Sequence, residues 1–584
     1  LNIGTGLTHF SNIENVTGGD GADTLFGDAN TNVLNGSNGN DTLAGRGGDD
    51  YYMFTGVWGV DVIGENQAEG DDTLNFYAYT GDTISYTLAP ITVDLDFIMN
   101  NAGTESGLFY DTVKQPADDA ANCVAGGGTV QVNCVLYRSR NVEHIFGGLC
   151  IDSLYTLNQD STFAIDGVTV DTDPLFTPNT APTMVAATDR NSYTALGTPS
   201  GEGDGLEFAN IENMYAGNQA DIFNILEHDQ RYNLYGGAGD DQFVFTDGTG
   251  LTDLSGSPHP GFQSLIDGQG GSDTIDYRDF TTSVTVNLAT GQSSNISAAA
   301  LGRVVNLENI VGGSKNDLLT GDSGDNAITG MGGDDTITGD LGNDTFIFGD
   351  SWGKDIVNEL SGAGIDTFDF SGVTVPGTGS LLFAFGVSAI QVSDAGVVNT
   401  VATDNFIEFF IGGPTADLFQ FAEGAAISGG VDGQGGTDTI DYSAYLTGRN
   451  VLLTALGSVD GFAGTESAAT SFDNIDSFIG SAANTDEITG IDQDATWTVN
   501  AVNSVYLSSN ALTFKDFEYL NGGGLADTFN IQAANATIRF YRGGAGNDIF
   551  NIIGSILVPG QIDGQSGIDQ LNYSAFTTGG VDVN

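Results

Sequence analysis

The sequence is short of positive charge: 14 lysines and arginines stand against 77 aspartates and glutamates in 584 residues, a formal net charge of −63. Nucleic acid and anionic membranes repel so negative a chain unless a cation intervenes, so neither is expected as a direct partner. Cysteine is scarce, with Cys123, Cys134 and Cys150 confined to one stretch. Three cysteines make no disulfide framework; a Cys123–Cys134 loop would be permitted outside a cell, and the spacing leaves it open. No apolar run reaches the roughly 18 residues of a spanning helix, so no membrane insertion is expected. Segments of helical period are also missing. There is no initiating Met, no basic-then-apolar leader and no convincing export signal in the closing "FTTGGVDVN". The chain therefore reads as an excerpt or processed product of a longer polypeptide.

Catalytic signatures are scarce too. His9, His144, His228 and His259 form no HExxH, and neither a GxSxG elbow nor a phosphate-binding GxxxxGK[ST] occurs. In a chain this acidic, carboxylate pairs such as Asp240 and Asp241 are expected in turns rather than in acid–base catalysis. No enzyme is expected.

Glycine is what abounds, with 85 residues, beside 40% hydrophobic and 10% aromatic content that argues for a buried core once the charge is compensated. From Gly18 to Phe54 the glycines keep a beat of nine: Asp23, Asn32, Asp41 and Asp50 are each followed two places on by Leu25, Leu34, Leu43 and Tyr52. A helix repeats every ~3.6 residues and an open strand every ~2, so neither gives this spacing. Six turn-prone residues followed by three strand-like ones describe a chain that bends, runs briefly straight and bends again. Glycine supplies the tight bends and the close backbone approach.

Two such half-turns make a coil of eighteen residues that stacks Asp41 on Asp23 and Asp50 on Asn32. Carboxylates about 4–5 Å apart in a partly dehydrated loop oppose folding by several kcal/mol unless a cation lies between them. A hard cation that takes ~6–8 oxygens from carboxylates and backbone carbonyls is Ca²⁺. A second block repeats the pattern with Asp317, Asn326, Asp335 and Asp344, followed by Leu319, Ile328, Ile337 and Phe346. The expected metal set is these eight side chains with the loop glycines Gly18, Gly36, Gly312 and Gly330. Asn brings no charge, so the Asn32 and Asn326 edges are expected to hold the ion less tightly. Single half-turns carry Asp241, Asp273, Asp438, Asp548 and Asp569 as weaker candidates. With no adjacent nonapeptide to complete a ligand set, a plain Asp–Gly turn is the preferred reading there.

"GGDGADTLF" matches the GGxGxDxUx nonapeptide, and on these two blocks the chain resembles the RTX (repeats-in-toxin) proteins. The resemblance implies a parallel β-roll with Ca²⁺ between successive turns, and export to the cell exterior or surface by a type I system.

The chain is also a tandem repeat. Residues 12–76 align without a gap on 306–370, an offset of 294, with roughly 26 of 65 positions identical, and 265–288 recurs as 561–584 at an offset of 296. This divides it into unit 1, residues 1–294, with its block at about 18–54 and a cysteine-containing insert at about 77–140, and unit 2, residues 295–584, with its block at about 312–348. Phrases such as "NIENMYAGNQADIFN" and "DFEYLNGGGLADTFN" return within the units, each a turn, a short strand, a Gly turn and a D-x-[LF] strand. Trp58 pairs with Trp352 in the alignment, where capping the end of a coil stack is preferred to binding sugar.

The fold expected is all-β: parallel β-roll or β-solenoid calcium blocks joined by further solenoid or sandwich segments, one continuous right-handed solenoid being preferred. The function expected is a secreted, Ca²⁺-stiffened structural protein of a bacterial surface, as fibre, surface layer or adhesin stalk. It would associate with copies of itself in a polymer or lattice, as the nearly constant period suggests, or with a cell-surface glycan. The opposed reading is a carbohydrate-binding or polysaccharide-modifying RTX module.

Overall fold

The computed structural model describes residues 13–48, 50–54, 213–226, 232–251, 264–296, 300–359, 362, 364–374, 380–394, 399–403, 406–535, 537–554, 556–576 and 580. Between 60 and 209 it describes short strands, most of them by backbone alone. The described residues form strands and turns with no helix.

Each nonapeptide of the two blocks ends in a short strand: Thr24–Phe26, Val33–Asn35, Thr42–Ala44 and Tyr51–Met53 in one, Leu318–Thr320, Ala327–Thr329, Thr336–Thr338 and Thr345–Gly349 in the other. Side chains alternate across a strand, so a three-residue strand turns only its central residue inward. Leu25, Leu34, Leu43, Tyr52, Leu319, Ile328, Ile337 and Phe346 are accordingly all buried. Each contributes about 1.5–3 kcal/mol of burial. Strands pair in parallel one coil on: Thr24–Phe26 with Thr42–Ala44, Val33–Asn35 with Tyr51–Met53, Leu318–Thr320 with Thr336–Thr338. Successive strands thus alternate between two parallel sheets that share one thin core.

The chain divides into two compact units, Leu1–Asn309 and Ile310–Asn584. In the first, winding is continued by Asn213–Tyr215, Asn233–Ala238 and Leu265–Gly270 on one sheet and by Asp221–Ile225, Gln242–Phe245 and Thr274–Asp276 on the other. Like residues stack on like, with Tyr215 on Tyr235 at 4.2 Å and Phe223 on Phe243 at 5.0 Å between ring centroids.

Long insertions are absorbed into the coil. In the second unit Leu381–Phe385, Ile390–Asp394 and Thr400–Thr403 form an antiparallel meander. Its last strand pairs in parallel with the preceding Lys354–Asn358 and its first with the following Leu418–Phe421. Two more meanders, Asn450–Leu456 to Ala469–Ile475 and Ala495–Val499 to Ala511–Lys515, are spliced in the same way. The 77–140 insert of the first unit contains a fourth example of this splice: Thr92–Asp94, Asp111–Lys114 and Cys134–Tyr137 run antiparallel, flanked in parallel by Ser153–Tyr155 and Val60–Ile63. An insertion that occupies three rungs instead of one keeps its strands paired within the sheets of the coil, and among the described residues no separate sandwich forms.

Trp352 corrects the end-cap expectation. It is buried edge-on against Phe348 and Phe370, inside a coil that continues directly into Lys354–Asn358, so it neither closes a stack nor offers a sugar platform. Trp58 and the side chains of Cys123, Cys134 and Cys150 lie outside the described residues.

Candidate metal centre

The aspartates of the beat form ladders along the edges of the coil. In each rung a backbone N–H donates to the carboxylate one coil on. Asp23 donates to Asp41 Oδ1 at 2.7 Å, 18 residues away, and Asn32 to Asp50 Oδ1 at 2.6 Å. The second block repeats this from Asp317 to Asp335 and from Asn326 to Asp344, both at 2.8 Å. All eight beat residues predicted from the sequence are therefore brought into register.

The two oxygens of each carboxylate have different duties. At the head of a ladder the second oxygen caps its own loop: Asp23 Oδ2 accepts the Gly19 N–H and Asp317 Oδ2 the Gly313 N–H, while Asn32 and Asn326 do the same for Asp28 and Asp322 through Oδ1. In the following rungs, Asp41, Asp335 and Asp344, Oδ2 is buried without a hydrogen-bond partner. An unmet buried carboxylate oxygen costs several kcal/mol unless a proton or cation meets it.

The loop glycines form a cradle beside these oxygens. A Cβ at Gly18 would lie 2.5 Å from the Gly36 carbonyl and 2.6 Å from Asp23 Oδ2; at Gly312 it would lie 2.8 Å from the Gly330 carbonyl and 2.7 Å from Asp317 Oδ2. At Gly36 and Gly330 it would meet Asp41 Oδ2 and Asp335 Oδ2. Only glycine leaves carboxylate and carbonyl oxygens facing one space between coils. The donors there are all hard oxygens, with no nitrogen or sulfur, a set that fits Ca²⁺.

Burial pushes these carboxyls up, with adjacent carboxylates adding to the effect: Asp335 and Asp344 to about 7 and Asp355 to about 8, with Asp41 raised as well.

The single half-turns are not isolated in space, which corrects the expectation drawn from their spacing. The Asp221 N–H donates to Asp241 Oδ1, and the Asp241 N–H donates to Asp273 Oδ1, 32 residues on. Asp417 reaches Asp438 at 2.7 Å, Asp527 reaches Asp548 at 2.8 Å and Asp548 reaches Asp569 at 3.1 Å. Asp241, Asp273, Asp438 and Asp548 also keep an unpartnered buried Oδ2.

Further ladder members escape the nine-residue beat. Asp61 and Asp355 extend the blocks at a spacing of 20, receiving the Asp41 and Asp335 N–H groups. Asp366 follows Asp344 at 22, and Glu359 lies beside them, so that Asp344, Glu359 and Asp366 bring carboxylate oxygens within 4.8 Å of one another. Three of the ladders close on a glutamate: Glu308 accepts from Asp273, Glu408 from Asp366 and Glu518 from Asp486. The signals were present, because Asp61 aligns with Asp355 and the glutamates sit in the recurring phrases "NLEN", "NFIEFF" and "DFEYL".

The sequence profile of the RTX calcium-binding nonapeptide repeat matches residues 17–52 and 311–346, in four copies. Both blocks are RTX calcium-binding repeats. RTX nonapeptides bind Ca²⁺, so calcium is the cofactor of this chain, and the repeats mark it as an extracellular, secreted bacterial protein. No curated protein gives a significant match to the chain. Among the described residues no helix is long and apolar enough to cross a membrane.

Proposed function

We propose that Asp23, Asn32, Asp41, Asp50, Asp317, Asn326, Asp335 and Asp344, with the Gly18, Gly36, Gly312 and Gly330 loops, hold Ca²⁺ between successive RTX coils. Asp241, Asp273, Asp438, Asp548 and Asp569 belong to further ladders of the same kind, and the ions stiffen a structural protein of the bacterial surface. The observation that carries this reading is the run of unpartnered, buried Oδ2 atoms on successive rungs. Each marks a place where neighbouring coils are held together by a charge the chain itself does not supply. Coils locked to one another suit a fibre, surface layer or adhesin stalk, and repeated units give like surfaces for contact between copies. A sugar-binding role gains no support from Trp352 or Trp497, which are both buried.

Two experiments test the proposal. Asp335→Ala removes a charged, unpartnered oxygen, whereas Asn326→Ala removes a neutral loop cap. The Ca²⁺ midpoint of folding should therefore rise by about tenfold or more for the first and by less for the second. Equal midpoints would overturn the ligand assignment. In negative stain, the chain at high concentration in millimolar Ca²⁺ should form filaments or sheets that chelator disperses; a chain that stays monomeric would remove the lattice and leave the stalk.

A further inference from the structure

We propose a separate divalent-cation site in the second unit, outside both RTX blocks, where Asp460 at a hairpin tip completes a pair of stacked carboxylates, Asp438 and Asp476. Asp438 is fully buried. Its Oδ1 accepts the Asp417 N–H at 2.7 Å, and its Oδ2, the acceptor that remains, has no hydrogen-bond partner. Asp476 Oδ2 accepts the Asp438 N–H at 3.1 Å. Asp460 Oδ2 accepts the Gly436 N–H at 3.2 Å, and its buried Oδ1 is also without a partner. One oxygen from each of the three lies within 4.8 Å of the other two. None of the ion pairs among the described residues involves them.

The third carboxylate comes from an insertion rather than from a repeat. Asn450–Leu456 and Phe462–Thr465 form a hairpin, closed by the Gly457 N–H on the Gly461 carbonyl at 3.1 Å. Its tip is gripped by Asn474, a fully buried residue in the left-handed region at φ 56°. Asn474 Oδ1 accepts the Val459 N–H at 2.7 Å, while its Nδ2 donates to Asp432 Oδ1 at 2.6 Å on the adjoining coil. Asp473 Oδ1 accepts the Ser458 N–H at 3.1 Å. Asn474 is thus a positioning residue that fixes Asp460 over Asp438. Three carboxylates this close, with two buried oxygens unmet, call for a hard divalent cation, and the all-oxygen donor set selects Ca²⁺ over zinc or copper. The ion would latch the hairpin to the coil.

The test counts ions on the whole chain. Metal-free wild type, Asp460→Asn and Asp335→Ala are titrated with Ca²⁺ by calorimetry, and amide exchange at 457–461 is followed at saturating Ca²⁺. Asn keeps an oxygen for the Gly436 N–H but lacks the charge, and the tip is partly exposed, so this variant is expected to fold. Asp460→Asn should bind one ion fewer than wild type, with exchange at 457–461 faster by about tenfold or more and unchanged in the RTX blocks. Asp335→Ala should leave exchange at the tip as in wild type. A wild-type ion count in Asp460→Asn, or unaltered exchange at its tip, overturns the hairpin site. An unaltered count in Asp335→Ala instead tells against the RTX ligand assignment, so the two failures are distinct.

Discussion

Chelating Ca²⁺ at neutral pH is expected to unfold the two RTX blocks, and restoring it at millimolar concentration to refold them. The reason lies in the ladders: Asp41, Asp335 and Asp344 are buried with an oxygen that nothing in the chain meets. Against that cost each short strand sets one or two interior side chains, a thin core for so many buried charges. An ion that binds only the folded coil adds RT ln(1 + [L]/Kd), about 4 kcal/mol per site at a thousandfold excess over Kd, and several sites act together. Far-UV circular dichroism should show β structure rising cooperatively with Ca²⁺. Spectra that are the same in chelator and in millimolar Ca²⁺ would defeat this expectation. Folding withheld until Ca²⁺ is met would also suit a protein that must leave the cell before it stiffens.

Mild acid should partly replace calcium. Burial holds the carboxyls of Asp335 and Asp344 at about 7 and of Asp61, Asp241, Asp355 and Asp438 at about 8, far above the ordinary 3.8. A group whose folded pKa lies above its unfolded one binds the proton more tightly when folded. The stability it gives the metal-free coil is complete below about pH 4 and is lost as pH rises through about 7 to 8. The chelated protein is therefore expected to have more β structure and a higher urea midpoint at pH 5 than at pH 8. Calcium must displace those protons, so its apparent affinity should climb across the same interval. A metal-free urea midpoint that is flat or rises from pH 5 to pH 8 would show that the ladder carboxyls are not held protonated.

The roll itself was legible because its period is local. Nine residues suffice to specify a bend, a ladder carboxylate and one inward side chain, and every such side chain from Leu25 to Phe346 is buried as the beat requires. Asn at the second beat of both blocks also has a physical reading: Asn32 and Asn326 head their ladders, where the side chain caps its own loop, and an amide oxygen does that as well as a carboxylate. The continuation of the ladders was not legible from spacing, because consecutive rungs there lie 32 to 42 residues apart in the chain instead of eighteen. Asp241 and Asp273 therefore looked alone in the sequence and are neighbours in the fold. Asp460 gave no signal at all, since it joins Asp438 only through the hairpin that Asn474 holds down.

The most direct measurement is the anomalous scattering of calcium in crystals of the whole chain grown in millimolar Ca²⁺. Peaks are predicted between successive coils of both blocks, bounded by Asp317 Oδ2 and the Gly330 carbonyl at one loop and by Asp335 Oδ2 at the next, with their counterparts at Asp23, Gly36 and Asp41. Ordered RTX coils with no calcium between them, or with calcium bound only at outward-facing carboxylates such as Asp20 and Asp325, would contradict the account.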